Sequence, residues 1–213
     1  MKRKASLIIL GLVLGTAETL LGWSVLPENF LGAYLIFIGL GYCIGGGFFL
    51  ALGPRRDTLP RSDRSLLGLA PGALLILLAM PLEYRFLPEV LPRLRWMQWL
   101  GTGFIFLGMF LRLWTRWSLK KAYQGNLSVQ PEQQLVTTGP YRWVRHPGYG
   151  AFILQALGLA LGFSSISGLL GLLFLIYGLR YRIRIEEQML VQSFEQEYVD
   201  YARRTHRLIP GIW

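Results

Sequence analysis

The first half of the chain alternates long apolar stretches with short basic clusters. A helix rises about 1.5 Å per residue, so about 20 apolar residues are needed to cross a hydrocarbon core of about 30 Å. Four stretches approach or exceed that length, and we predict four transmembrane helices within residues 1–114. They cover residues 5–26, 30–52, 66–82 and 96–114.

The first apolar stretch also has features of a signal peptide. Three basic residues precede it, and Gly15-Thr16-Ala17 would suit a cleavage site. The apolar character continues well beyond that site, which favours an uncleaved anchor. Glu18 lies inside the stretch, and two interpretations stay open: it faces the bundle interior or a headgroup, or it belongs to a polar cavity.

Glycines crowd the second stretch, where a dinucleotide-binding loop is one interpretation. Such a loop requires a strand before it and a helix after it, whereas these glycines lie inside an apolar run. Small residues spaced four apart, such as Gly41 and Gly45, favour close packing of two helices instead. Cys43 is the only cysteine, so we predict neither an internal disulfide nor a cysteine-based zinc site.

Two short apolar segments follow the long polar stretch over residues 115–149. They cover residues 150–163 and 169–179, and serines and a glycine lie between them. Each is too short for an upright span, so we predict a helical hairpin, followed by an amphipathic helix reaching Arg204. The predicted fold is all-α: a polytopic transmembrane bundle over 1–114, then a region over 115–213 with the hairpin and an amphipathic cytoplasmic helix.

Composition and charge place this fold in a membrane. The chain is 53% hydrophobic and 16% charged, against about 25% charged in soluble domains. The net charge of +10 would suit nucleic acid, but the basic residues flank apolar stretches, as in proteins that meet anionic lipid headgroups. We therefore expect the lipid bilayer, and no nucleic acid, as a partner.

The distribution of Lys and Arg predicts the orientation. If the N-terminus is cytoplasmic, 19 of the 22 basic residues fall on cytoplasmic segments. We predict an integral protein of the cytoplasmic membrane, with its N-terminus, the 115–149 segment and the C-terminal tail in the cytoplasm.

Three polar segments in the last third of the chain should lie close together at the cytoplasmic side of the membrane, because a helical hairpin returns its end near its beginning. They cover residues 133–141, 145–149 and 182–187. Arg182 and Glu186 are four residues apart and share a helix face. Arg before Glu is the weaker order for an i,i+4 ion pair, so both side chains are freer to contact a ligand. From spacing alone, a solvated collar of charges at the membrane interface is the stronger interpretation.

Four motifs resemble the isoprenylcysteine carboxyl methyltransferase family, which is related to phospholipid N-methyltransferases and small-thiol S-methyltransferases. The resemblance covers about residues 126–213, and Arg-His-Pro-x-Tyr followed by Glu-Glu after a hydrophobic hairpin is its most specific part. The motifs are Gly139-Pro140-Tyr141-Arg142-Trp143-Val144-Arg145-His146-Pro147-Gly148-Tyr149, Glu186-Glu187, Phe194-x-x-Glu197-Tyr198-x-x-Tyr201 and Ile209-Pro210-Gly211-Ile212.

The resemblance implies a methyltransferase that binds S-adenosyl-L-methionine and acts on a lipophilic or small thiol, carboxyl or amine acceptor. It implies that Arg182 positions the acceptor. Gln133 stands where carboxyl-methylating members have histidine, which argues against a prenylated-protein substrate. The implied cofactor contacts are Gln133, Gln134, Leu135, Val136, Tyr141, His146, Pro147, Gly148, Tyr149 and Glu186.

A carboxylate or thiolate acceptor would need no general base, whereas an amine would, and Glu187 or His146 are the candidates. Two other classes stay open. Sterol reductases, which use a nicotinamide cofactor, have a related C-terminal pattern, and a non-catalytic membrane subunit would keep the same fold.

Overall fold

The computed structural model describes residues 65–87, 89, 91–119, 135–209 and 211, together with Thr16 and Leu20. The chain divides into two units, Met1–Leu59 and Pro60–Trp213, and the helices reported below all belong to the second unit. Apart from Thr16 and Leu20, the predicted spans over 5–26 and 30–52 lie outside the described residues, and so do Glu18 and Cys43. Gln133 and Gln134 lie outside them as well.

The predicted span over 66–82 is helical. It consists of α1 (Ser65–Leu74), a π-helical segment (Leu75–Ala79) and α2 (Met80–Phe86). Pro81 lies in the first turn of α2 and has no N–H to donate to the preceding turn. The wider π-helical segment lies in that preceding turn. The residues Leu67–Phe86 are long and apolar enough to cross a membrane.

The fourth predicted span also forms a helix, α3 (Arg95–Leu119), which continues five residues beyond the predicted end. Large apolar side chains on it are exposed, including Trp99, Phe110 and Trp117. Among the described helices, those that meet the length and composition of a span are Leu67–Phe86 and Ile166–Arg204. The role of α3 as a span therefore stays a prediction.

The predicted hairpin is present, but its second arm is longer than expected. The first arm is α4 (Pro147–Gly162), and the second is α5 (Ile166–Arg204), which consists of two helical parts that meet at a kink. The predicted hairpin and the predicted helix that reaches Arg204 are both present, and the backbone stays helical from the second arm through Arg180. The only irregular backbone inside α5 lies at Glu195 (φ 46°, ψ −123°), far beyond Arg180.

Small residues let these helices approach closely in pairs. A Cβ placed on Gly68 of α1 would lie 2.5 Å from the Gly178 nitrogen of α5, and one on Gly101 of α3 would lie 2.4 Å from the Gly158 oxygen of α4. Each pair therefore packs backbone against backbone, the type of contact by which membrane helices associate.

Glu83 holds the hairpin turn against α2. Its carboxylate accepts hydrogen bonds from the Ile166 and Ser167 nitrogens, each at 2.9 Å, and from the Ser165 hydroxyl at 2.6 Å. The Ser167 hydroxyl donates to it as well. A carboxylate at the start of α5 satisfies backbone N–H groups that have no partner within the helix and favours the positive end of the helix dipole.

Candidate functional site

The Arg-His-Pro segment is held by the C-terminal end of the chain. Val144 and His206 form a parallel β-bridge. The nitrogens of Arg145 and His146 donate to the His206 and Arg207 oxygens at 2.7 and 3.0 Å, and the His206 nitrogen donates to the Trp143 oxygen at 3.0 Å. Because a residue before proline avoids the helical region, His146 ends this extended segment and Pro147 begins α4.

Glu186 of α5 meets the first turn of α4. The Tyr149 hydroxyl donates to Glu186 Oε2 at 2.9 Å, and His146 Nδ1 lies 3.7 Å from the same oxygen. The His146 and Tyr149 rings stack with centroids 5.7 Å apart. Glu186 is partly exposed, with 28% of its side chain accessible, and no described residue donates to Oε1. This carboxylate can therefore accept hydrogen bonds from a ligand.

Glu187 has a different environment, since cations engage both of its oxygens. Arg145 Nε donates to Oε1 at 2.9 Å, and Arg207 Nε donates to Oε2 at 2.9 Å. His146 Nε2 lies 3.5 Å from Oε1, which is too long for a well-formed hydrogen bond. The hydrogen bonds to Glu187 raise the pKa of Arg207 above its ordinary value.

Arg145 also forms hydrogen bonds with the C-terminal end of α5. Its Nη1 atom donates to the Ala202 oxygen at 2.8 Å and to the Thr205 oxygen. Arg145 and Arg207 were not among the predicted site residues. Arg145 was visible in the motif without an assigned partner, and no local pattern links Arg207 to Glu187, which is 20 positions earlier.

Arg182 lies one turn before Glu186 and is buried, with 3% of its surface exposed. Among the described residues, its Nε has no hydrogen-bond partner, and neither do His146 Nε2 and the Tyr198 hydroxyl. Tyr149 lies within electrostatic reach of Arg182. Buried polar atoms are nearly always paired, so unpaired ones concentrated around one motif point to a place where a ligand binds.

Leu135 and Val136 line a cavity of about 550 Å³ at the C-terminal end of α3. The wall also includes Trp114 and Trp117. Gly139 closes the turn beside it at φ +64°, where a Cβ would lie 2.2 Å from the Ser118 hydroxyl. None of the described wall residues comes from the His146 and Glu186 cluster, so the predicted cofactor residues fall into two groups.

The other predicted cofactor residues in the described part of the chain are Tyr141, Pro147 and Gly148. The Tyr141 oxygen accepts a hydrogen bond from the Tyr201 hydroxyl at 2.7 Å, which ties the 3₁₀ turn Gly139–Arg142 to α5. Pro147 is fully buried at the start of α4. A side chain at position 148 would fit without a clash, because the nearest atom to an added Cβ would be Thr115 Cγ2 at 3.7 Å.

Comparisons with known proteins show which families the chain is similar to. The phospholipid methyltransferase family model matches residues 96–197. A protein-S-isoprenylcysteine O-methyltransferase of Saccharomyces cerevisiae is 30% identical over 116 residues, which are 53% of this chain and 48% of that protein. A probable protein-S-isoprenylcysteine O-methyltransferase of Oryza sativa subsp. indica is 29% identical over 186 residues, which are 86% of this chain and 95% of that one. The chain thus spans about half of the yeast relative and nearly all of the rice relative.

A solved structure shares the fold. The eukaryotic intramembrane Ras methyltransferase, an isoprenylcysteine carboxyl methyltransferase, matches with a TM-score of 0.60 and 23% identity over 98% of this chain and 75% of that one. Together with the sequence relatives, this match confirms the helical membrane fold and the resemblance drawn from the motifs. The chain is therefore similar to protein-S-isoprenylcysteine O-methyltransferases and, over residues 96–197, to the phospholipid methyltransferase family model.

Proposed function

We propose that the protein transfers a methyl group from S-adenosyl-L-methionine to a lipophilic acceptor that reaches the site from the membrane. One observation supports this most strongly. The Tyr149 hydroxyl and Glu186, 37 positions apart, are hydrogen-bonded at 2.9 Å beside the buried His146. The hairpin therefore brings the two most specific parts of the motif together at one place.

The residues of this cluster fit the cofactor chemically. S-adenosyl-L-methionine supplies an activated methyl group on a positively charged sulfur, and it also carries hydroxyls, an ammonium and a carboxylate. Glu186 Oε1 is available to accept hydrogen bonds from hydroxyls or the ammonium. His146 Nε2 is buried and has no hydrogen-bond partner among the described residues, and an N–H at this atom can donate to a carboxylate. Leu135 and Val136, beside Trp114 and Trp117, offer an apolar wall for a flat ring.

The main catalytic task of the protein is to position the cofactor and the acceptor. A methyl transfer needs its nucleophile, methyl group and leaving sulfur in line, and alignment supplies most of the rate. We assign Arg182 to the acceptor, because its guanidinium is buried one turn from Glu186 and its Nε lacks a partner. A buried cation of this kind favours an anionic or polar acceptor group. A thiolate or carboxylate acceptor would then react without a general base.

The yeast and rice relatives are named for action on isoprenylcysteine, which is a lipophilic acceptor. For this chain we propose the broader class of lipophilic thiols, carboxylates and amines, because Gln133 departs from the pattern of carboxyl-methylating members. We also propose that the site faces the cytoplasm, on the side predicted by the basic residues, where the water-soluble cofactor arrives.

Cofactor binding is the first test. In detergent, S-adenosylhomocysteine should raise the melting temperature of the purified protein, and NADPH should not. Glu186→Gln should abolish the increase. Glu197→Gln is the matched control, because Glu197 lies on the same helix and is exposed. A rise with NADPH alone would favour the reductase alternative, and no response to either ligand by the folded protein would contradict our proposal.

The acceptor is identified by turnover. Methyl-labelled S-adenosylmethionine should label lipophilic thiols, carboxylates or amines in a panel presented in detergent micelles or vesicles. Label transferred only to water-soluble small thiols would refute the lipophilic acceptor while leaving the methyltransferase proposal intact.

A further inference from the structure

Glu187 occupies the centre of an ionic cluster that joins three parts of the chain. The carboxylate comes from α5, Arg145 from the segment before α4, and Arg207 from the segment that follows α5. Side-chain exposure is 13% for Glu187 and 10% for Arg145, so this carboxylate is largely shielded from water. Ion pairs in such an environment are screened less than surface pairs.

Both oxygens of Glu187 are already bonded. Oε1 accepts a hydrogen bond from Arg145 Nε, and Oε2 accepts one from Arg207 Nε at 2.9 Å. Arg207 Nη2 lies 2.8 Å from Oε2 as an ion-pair contact. Hydrogen bonds between ionised groups are stronger than those between neutral groups. A carboxylate held in this way is a poor proton acceptor, because taking a proton would break contacts with two cations. This geometry argues against Glu187 as the general base for an amine acceptor.

The same contacts hold the C-terminal segment against the motif. Residues 205–207, which we call the C-terminal strap, pair with residues 143–146 through the backbone. Arg145 reaches the strap through the Thr205 oxygen, and Glu187 reaches it through Arg207. The His146 nitrogen donates its backbone hydrogen bond to the Arg207 oxygen at 3.0 Å. The position of the His146 ring therefore depends on where the strap lies.

We propose that Glu187 is a positioning residue: it locks the strap onto the Arg145 and His146 segment and thereby sets His146 and Tyr149 against Glu186. The proposal rests on the proposed function in that the cofactor is taken to bind at Glu186. It assigns the C-terminal strap to the binding site, although strap residues need not touch the cofactor. Arg207 is the partner through which Glu187 acts.

The first experiment follows the geometry without any ligand. Hydrogen–deuterium exchange of the full-length protein should show protected amides at Arg145, His146 and His206. Glu187→Gln and Arg207→Gln should each increase exchange at these amides, while the helix core at Leu175 and Leu179 keeps its protection. Arg203→Gln is the control, because the Arg203 side chain is 73% exposed and, within the described part of the chain, pairs with nearby Asp200. Unchanged exchange in Glu187→Gln would overturn the proposal.

The second experiment measures S-adenosylhomocysteine binding by isothermal titration at a temperature far below the melting transition. Glu187→Gln and Arg207→Gln should each weaken binding by about tenfold, as is typical when a group that orients a binding residue is lost. The double variant should be no weaker than the weaker single variant, since both changes break one ion pair. Arg207→Lys, which keeps the charge and one donor direction, should recover part of the affinity.

Turnover separates positioning from proton transfer. At saturating cofactor, kcat of Glu187→Gln should stay within about threefold of the parent, with the loss confined to the KM for the cofactor. A fall in kcat of about 100-fold with unchanged affinity would assign Glu187 to proton transfer and refute the proposal. A lower melting temperature with unchanged affinity and exchange would also refute it. If the parent protein itself binds no S-adenosylhomocysteine, the proposed function fails, and the exchange experiment still decides whether Glu187 locks the strap.

Discussion

The close contact between α3 and α4 leads to a sharp test of the fold. Gly101 lies against the α4 backbone, and a Cβ there would be 2.4 Å from the Gly158 oxygen and 2.8 Å from the Gly162 nitrogen. Neither neighbour is a flexible side chain that can turn away. Gly101→Ala can therefore be accommodated only if the two helices move apart.

The size of the effect follows from two opposing terms. Alanine is intrinsically better than glycine in a helix by up to about 1 kcal/mol. Overpacking of a tight interface typically costs about 1–3 kcal/mol, and an obstacle made of backbone puts this site at the upper end. We expect Gly101→Ala to be destabilised by about 2 kcal/mol in total. At about 2–4 °C per kcal/mol for a chain of this size, the melting temperature should fall by about 4–8 °C.

Gly103 provides the matched control on the same helix. It is exposed, and no atom lies within 4 Å of an added Cβ. Gly103→Ala should leave the melting temperature unchanged or raise it slightly. Thermal melts of both variants in one detergent, checked by unfolding in a denaturing detergent series, measure the difference. If Gly101→Ala proves as stable as Gly103→Ala, the backbone contact between α3 and α4 is not present as described.

Three further outcomes are expected. Glu83→Ala should lower stability by about 1–2 kcal/mol, because the Ile166 and Ser167 nitrogens at the start of α5 lose their acceptor. Thermal melts against Glu89→Ala, an exposed acid nearby, should show the difference. Gly139→Ala should weaken S-adenosylhomocysteine binding measured by titration, because a residue at φ +64° with a Cβ 2.2 Å from the Ser118 hydroxyl displaces the turn beside the cavity; equal affinity would contradict this. Arg182→Ala should keep the ligand-induced rise in melting temperature and lower labelled-methyl turnover by about 100-fold, whereas loss of the thermal response would assign Arg182 to the cofactor instead.

The elements of the second unit were largely predictable, and the reason is periodicity. Apolar runs predicted α3 and α4 to within a few residues, and the serines before Gly168 predicted the turn. The continuity of α5 was not predictable in this way, because its sequence changes from apolar to charged at Arg180 without any change in backbone. Residue composition changes along a helix where its surroundings change from lipid to water. The helical backbone itself ends only where a capping residue or a helix-breaking residue ends it.

The candidate site was predicted in part. The motif indicated that His146, Tyr149 and Glu186 belong together, and the structure places them in contact. It did not indicate that Glu187 is bonded to Arg145 and Arg207. Adjacent residues on a helix point about 100° apart, so two neighbouring glutamates meet different surroundings, and those surroundings depend on a strap whose pairing leaves no periodic pattern in the sequence.

The length of α5 has a mechanical consequence. The same helix carries Gly171, packed on α1, and Glu186, which is bonded to Tyr149. These positions are about 22 Å apart along the axis, so a tilt of about 5° about Gly171 would displace Glu186 by about 2 Å. That displacement exceeds what the hydrogen bond to Tyr149 tolerates. A mismatch between helix length and bilayer thickness is accommodated in part by helix tilt. If the cofactor binds at Glu186 as proposed, ligand affinity should therefore vary with the acyl length of the surrounding lipid.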